Sequence, residues 1–343
     1  TGFTGSIAAD SPAGRLLTWA NTCGPMLSID VPSGMDAATG AVEGVCARAI
    51  WTVTFHRPKP GLYLTERRDC VGEITVAPIG LPREFDPQGG LLVNEEGDLH
   101  TLLPDRPASA HKGDCGRTVI YAGSLGMAGA AMMAARAALH AGAGLTTVIC
   151  PRAAMPVLQQ EVPNATCLAA EDQPTPKCDA LLMGCGIAEN DDTYADMMRL
   201  KATDAYQVWD AGALNLLAGH PQQLGARAVI TPHAGEAARL LGWEIPAVLS
   251  DKLGAAEALR AKYGCNVVLK SAVTVMLTAD GQQCALNAVG SPALAKGGSG
   301  DALAGILASL LGQGLPMFDA MRAACLWLGL AGIAAGKRCG VRA

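Results

Sequence analysis

The segment richest in chemistry is Lys296-Gly297-Gly298-Ser299-Gly300-Asp301, which opens directly onto the apolar run Ala302-Leu303-Ala304-Gly305-Ile306. Three glycines let a backbone turn sharply and approach a ligand closely. A helix starting there aims unpaired N–H groups and the positive end of its dipole at that ligand, which suits phosphate. Asp301 is the odd member, because a carboxylate repels phosphate. Two readings are open for it. One is an N-cap, a common role for Asp. The other is a general base that takes the proton from a hydroxyl as its oxygen attacks phosphorus. Its position after a strand-rich α/β segment favours the base.

Four further segments and the single residue Asp210 could face the same ligand. Gly123-Ser124-Leu125-Gly126-Met127-Ala128-Gly129-Ala130 joins a strand to a helix, and Gly184-Cys185-Gly186 closes another strand. Asp210 also ends a strand, where it either faces the cleft or caps the next helix. Open α/β sheets bind ligands at the carboxyl ends of their strands, so these positions converge. In Thr231-Pro232-His233-Ala234-Gly235-Glu236, a proline at a helix start with glutamate in the first turn is capping chemistry. It leaves His233 within reach of a ligand. Lys270-Ser271-Ala272-Val273-Thr274 follows a buried strand and offers a cation and two hydroxyls for a nucleotide's phosphate or ribose.

The elements that must position these residues follow from hydrophobic rhythm. The pattern predicts strands over 118–122, 145–150, 180–183, 207–210, 226–231 and 266–270, interleaved with helices over 128–140, 214–218, 236–241 and 255–263. Strand–helix alternation implies a mostly parallel sheet covered on both faces. Helices over 301–311 and 319–335 complete this part. Residues 1–82 read as strands and tight turns at 26–31, 50–55 and 72–79. Between them, 83–107 dissolve into Asp, Glu, Gly and Pro and are expected to be a linker. The organisation is thus a partial Rossmann-like α/β domain over 1–82, the linker, and an α/β domain over 108–343.

Bulk properties narrow the classes. Half of the 343 residues are apolar and 17% are charged, which suits packed globular structure. The net charge of −5 comes without a Lys/Arg run, which argues against a nucleic-acid surface. The longest apolar stretches, such as 323–335, fall short of about 20 residues and read as buried helices, not membrane spans. None of the twelve cysteines forms a C-x-x-C pair, so no zinc cluster is expected. They read as small buried residues or free thiols of a reducing compartment, the cytoplasm. A homo-oligomer is expected. Any targeting segment would lie upstream of Thr1.

Taken together, the segments resemble the ADP/ATP-dependent NAD(P)H-hydrate dehydratases, a branch of the ribokinase-like fold. The resemblance rests on His111-Lys112-Gly113-Asp114, Gly123–Ala130, 141–144, Gly184-Cys185-Gly186, Asp210 with Asn215-Leu216-Leu217, Thr231–Glu236, Lys270–Thr274 and Gly297–Asp301. It implies repair of a reduced nicotinamide ring to which water has added. The new hydroxyl is phosphorylated from ADP or ATP, with Mg2+ alongside, and the phosphate then departs. Asp301 would activate the hydroxyl, while Gly298 and Gly300 would hold the phosphoryl charge. Ala130, Gly186 and His233 match substrate contacts. Lys270, Ser271, Ala272, Val273, Thr274 and Gly300 match nucleotide contacts. Ser271 stands where the family often has Gly, and Ala234 where Pro is usual.

Residues 1–82 resemble the second half of NAD(P)H-hydrate epimerase, through Thr1-Gly2-Phe3-Thr4-Gly5, Asp30-Val31-Pro32-Ser33-Gly34-Met35-Asp36, Thr54-Phe55 with Pro58-Lys59-Pro60-Gly61, and Gly72-Glu73. This implies a phosphate loop that includes Gly2, a substrate contact at Asp30 and a potassium ligand at Ser33. The opening half of that domain does not match, so epimerisation by this portion is not expected. Two other readings remain: a ribokinase-like kinase of a small vitamin-like alcohol, and a non-catalytic nucleotide-binding remnant.

Overall fold

The computed structural model describes residues 6–82, 84 and 90–340. The chain forms two units, Thr1–Leu91 with Leu249–Lys252, and Leu92–Val248 with Leu253–Ala343.

In the first unit β1 (Ser6–Ile7) pairs in parallel with β3 (Glu43–Gly44). The helix α1 (Pro12–Ala20) carries Ser11 as its N-cap, with the hydroxyl accepting from the Gly14 N–H, and proline at its first position. A three-stranded parallel sheet runs in the order β2 (Met26–Ile29), β4 (Ala49–Phe55), β5 (Glu73–Ala77). A short α2 (Gly61–Leu64) packs Leu62 into a small core with Met35, Cys46, Cys70 and Val71.

The second unit is built on a ten-stranded sheet. Its strands are β6 (Leu92–Val93), β7 (Arg117–Tyr121), β8 (Leu145–Cys150), β9 (Thr166–Ala169), β10 (Ala180–Met183), β11 (Tyr206–Trp209), β12 (Ala228–Ile230), β13 (Asn266–Leu269), β14 (Thr274–Leu277) and β15 (Cys284–Asn287). The order across the sheet is 6-15-14-13-12-11-10-7-8-9, and of these strands only β14 runs against the others. β10, β12 and β13 are buried along their whole length, as continuous apolar strands between two helical layers should be. The helices are α3 (Asp98–Leu102), α4 (Ala128–His140), α5 (Met155–Glu161), α6 (Asp191–Lys201), α7 (Gly212–Gly219), α8 (Ala234–Leu241), α9 (Ile245–Ser250), α10 (Lys252–Tyr263), α11 (Ser299–Gly312) and α12 (Met317–Cys339).

α4 and α11 lie side by side on the sheet, and small residues set their spacing. A Cβ on Gly305 would come within 2.2 Å of the Ala134 carbonyl oxygen, so the two backbones meet where only glycine fits. Leu303, Leu307 and Leu310 of α11 join Ala131, Ala134 and Ala138 of α4 in the main core.

Two expectations need correction. The span 83–107 is not all linker, because Leu92–Val93 pair with β15 and α3 packs on α12. Arg322 holds the segment in place through Asn94 Oδ1 (2.9 Å) and Asp98 Oδ2 (2.8 Å). Its polar composition hid a two-residue edge strand, too short for alternation to register. The apolar stretch at the carboxyl end is also longer than expected. α12 has 23 residues and is long and apolar enough to cross a membrane, but half of its apolar window is buried within the structure. All twelve cysteines are free, and seven are buried.

Candidate active site

The sheet changes direction at its middle. From β7 the chain moves outward to β8 and β9, and from β10 it moves the other way to β11, so a crevice opens beyond the carboxyl ends of β7 and β10. The loops leaving these two strands are tied together, the Gly123 N–H donating to the Cys185 carbonyl at 2.8 Å. Gly184 has φ 124° and lies so close to the next strand end that a Cβ would sit 1.8 Å from the Asp210 carbonyl oxygen. Only glycine meets both demands.

α11 begins in this crevice. Its N-cap is Gly298, with φ 94° and no side-chain cap bond, and the first intrahelical bond runs from the Ala302 N–H to the Gly298 carbonyl at 3.0 Å. The amides of Ser299, Gly300 and Asp301 precede that bond and supply the positive end of the helix. Asp301 is therefore the third residue of the helix, which removes the N-cap reading. Burial raises its pKa above the ordinary carboxylate value, with Asp210 adding to this. The Cys185 thiol, by hydrogen bonding, and Lys270, by charge, pull the other way and do not prevail.

Under the first turn of α11 lies a buried ion pair. The Asp210 side chain is 2% exposed, and its Oδ1 accepts from Lys270 Nζ (2.6 Å) and Thr231 Oγ1 (2.8 Å). Burial alone would lower the Lys270 pKa, but Asp210 and then Glu236 outweigh it and hold the ammonium above its usual value. A Cβ on Gly300 would stand 3.3 Å from Lys270 Nζ and 3.8 Å from Asp210 Oδ2, so the helix start rests directly on the pair.

His233 is fixed by its own helix. Contrary to the expected proline start, His233 is the N-cap of α8, and its Nδ1 accepts from the amides of Gly235 (3.0 Å) and Glu236 (3.3 Å). Glu236 returns the bond to the His233 N–H at 2.8 Å, closing a capping box. With Nδ1 accepting, the neutral ring carries its proton on Nε2, which lies 3.5 Å from Glu236 Oε1 on a half-exposed side chain. His233 and Lys270 form a backbone bridge, the Lys270 N–H bonding the Pro232 carbonyl at 2.8 Å.

The other expected positions divide. A Cβ on Gly186 would meet that of Ala130 at 2.8 Å, so these two share one wall. Ser271–Val273 is the tight turn from β13 into antiparallel β14. There Ser271 Oγ bonds the Val273 carbonyl (2.5 Å) and Thr274 is buried at the start of its strand, so both hydroxyls serve the turn and Lys270 is the group that faces α11. His111-Lys112-Gly113-Asp114 precedes β7 and lies at the amino ends of the strands, away from the crevice. In the first unit Asp30, at φ 67°, accepts from the Lys59 ammonium, Thr54 Oγ1 (3.0 Å) and the Phe55 N–H (3.2 Å). Burial opposes ionisation there, but these donors lower its pKa. The Ser33 carbonyl accepts from the Ala47 N–H at 2.8 Å. Gly2 lies outside the described residues.

Cys185, Asp210 and Asp301 bring one potential metal-ligating atom each within 4.8 Å of one another. They do not suit a resident metal ion. Burial and the two carboxylates hold the Cys185 thiol well above its usual pKa, and Asp210 is already occupied by an ammonium. A hard cation such as Mg2+ would come with phosphate oxygens instead.

The sequence model for NAD(P)H-hydrate dehydratase matches residues 118–343. The chain belongs to the NAD(P)H-hydrate dehydratase family. Its fold is ribokinase-like, and residues 1–61 match the YjeF-related protein N-terminus. A bifunctional NAD(P)H-hydrate repair enzyme of Vibrio cholerae is 38% identical over 89% of this chain and 62% of its own length. Its counterpart in Moorella thermoacetica is 34% identical over the whole chain and 68% of its own length. The chain thus spans about 62% of the Vibrio relative. Among solved structures, an ADP/ATP-dependent NAD(P)H-hydrate dehydratase of Bacillus subtilis, co-crystallised with ATP and Mg2+, is 25% identical with a TM-score of 0.67. It covers 74% of this chain and 93% of its own. In this member of the NAD(P)H-hydrate dehydratase family, reading the sequence had left Cys185 without a role and offered Glu236 only as a helix cap. Their signal was position, Cys185 just beyond β10 and Glu236 in the first turn of the helix that follows β12.

Proposed function

We propose that this protein returns hydrated NAD(P)H to NAD(P)H by a dehydration that consumes ADP, or ATP. The observation that carries this reading is a carboxylate with raised pKa in the first turn of a helix whose open amides adjoin an ammonium. Asp301 takes the proton of the ring hydroxyl as its oxygen attacks the terminal phosphorus, and the bond from phosphorus to the nucleotide's leaving oxygen breaks. The amides at Gly298–Gly300 and the Lys270 ammonium meet the charge that develops on the transferred group. The carbon–oxygen bond to the phosphorylated hydroxyl then breaks as a proton leaves the neighbouring ring carbon, so that phosphate departs with the bonding pair and the ring double bond is restored. Ala130, Gly186 and His233 line the substrate side, with the His233 Nε2–H as donor. Lys270–Thr274 and Gly300 form the nucleotide side, and Mg2+ arrives on the phosphates. No separate reaction is assigned to the first unit. Asp30 as a substrate contact and Ser33 as a potassium ligand are tested by whether KCl, but not NaCl, raises the melting temperature.

Incubation with hydrated NADH, ADP and Mg2+ should restore the absorbance of the reduced cofactor. No recovery, together with phosphorylation of a pyrimidine or thiazole alcohol, would assign the same geometry to a small-alcohol kinase. Inactivity on both, with later melting in ADP, would leave a binding module.

A further inference from the structure

A base at the start of a helix has to be aimed. In α8 the acidic residue at the third position turns back to the cap amide, as Glu236 does to His233. Asp301 holds the same position in α11 but shares a buried corner with Cys185 and Asp210. We propose that Cys185 and Asp210 are positioning residues for Asp301, the thiol donating to its carboxylate from one side and Asp210, bonded to Lys270 and Thr231, facing it from the other. The kinetic part of the test rests on the dehydratase reading.

Cys185 is fully buried, and its carbonyl is pinned by the Gly123 N–H. The pocket holds its proton on sulfur, so it acts only as a donor to the neighbouring carboxylate. Asp210 has the Lys270 ammonium and the Thr231 hydroxyl on one oxygen and turns the other toward Gly300. Two carboxylates in such unlike surroundings divide their roles: Asp210 is committed to the ammonium, and Asp301 is left to take and return a proton. The charged and titratable groups facing Asp301 are Cys185 beyond β10, Asp210 beyond β11 and Lys270 beyond β13, with Glu236 of α8 behind Lys270 at 4.0 Å. From the helices packed on α11, Arg136 of α4 is tied to Glu161, and Arg322 of α12 to Asp98.

The test is the pH profile of kcat/KM for dehydration in four forms of the full chain. Cys185→Ala should move the acid limb up by about 0.5 pH unit, and Cys185→Ser should restore it. Asp210→Asn should move it down by about one unit, since a like charge is gone while Lys270 remains. A limb that stays in place in either folded variant, or that moves the same way in both, overturns the proposal. Where Asp210→Asn fails to fold, the Ala and Ser pair decides alone. A readout free of turnover is the infrared S–H stretch identified by its loss in Cys185→Ala. It should rise in frequency in Asp301→Asn, and an unmoved band overturns the contact. An inactive parent protein would sink the dehydratase reading and leave the infrared result to decide this one.

Discussion

At the scale of single residues, Asp301 trades stability for chemistry. Its folded pKa lies above the unfolded value, chiefly through burial. A group shifted in that sense contributes stability below its unfolded pKa and loses it as pH rises through the folded one. At neutral pH the ionised side chain is therefore a cost. Asp301→Asn should melt later than the parent near pH 7, by on the order of 2 °C. The gap should close as pH falls below the ordinary value of 3.8. The same variant should lose turnover by roughly 10²–10⁴-fold while still binding nucleotide, because only the proton acceptor has gone. Scanning calorimetry across pH and single-turnover assays check the two halves separately. Gly300→Ala asks a different question. It lies in helical backbone, but its methyl would point at Lys270 Nζ from 3.3 Å. The variant should fold, with the KM for nucleotide raised about tenfold through lost access to the ammonium.

Among elements, the decisive contact is α4 on α11, since it sets the height at which the first turn of α11 meets the strand ends. Gly305→Ala forces a methyl against the Ala134 carbonyl and should cost roughly 1–3 kcal/mol, seen as a lower urea midpoint with unchanged slope. α4 and the strands β8 and β10 were legible in the sequence to the residue, because alanine-rich helical rhythm and unbroken apolar runs are strong local patterns. β14 and β15 were not. Their pairing is antiparallel at one flank of a parallel sheet, and nothing local in Thr274–Leu277 or Cys284–Asn287 announces that reversal. At the site, glycine turns gave away the crevice. The partner of each polar group did not show, because contact between Asp210 and Lys270 spans 60 residues of sequence and depends on strand order.

Across the whole molecule, the boundary between the units is the feature that composition misplaced. Asn94 bonds Asn287 Oδ1 at 3.2 Å and the Arg322 carbonyl at 3.1 Å, so the segment after Leu91 belongs with the large sheet. A protein starting at Leu92 should melt higher than one starting at Ala108, which lacks β6 and α3 and leaves β15 as a bare edge open to association. Size-exclusion and melting experiments on the two truncations would check this, and equal behaviour would contradict the assignment. The seam between Pro232 and Lys270 has a wider consequence. Two loops from different strands are stitched into a single plate before any ligand arrives, so an imidazole and an ammonium stand at fixed spacing and little ordering entropy is lost on capture. Insertions in either loop would displace both grips together, which couples the tolerances of two stretches of sequence nearly forty residues apart.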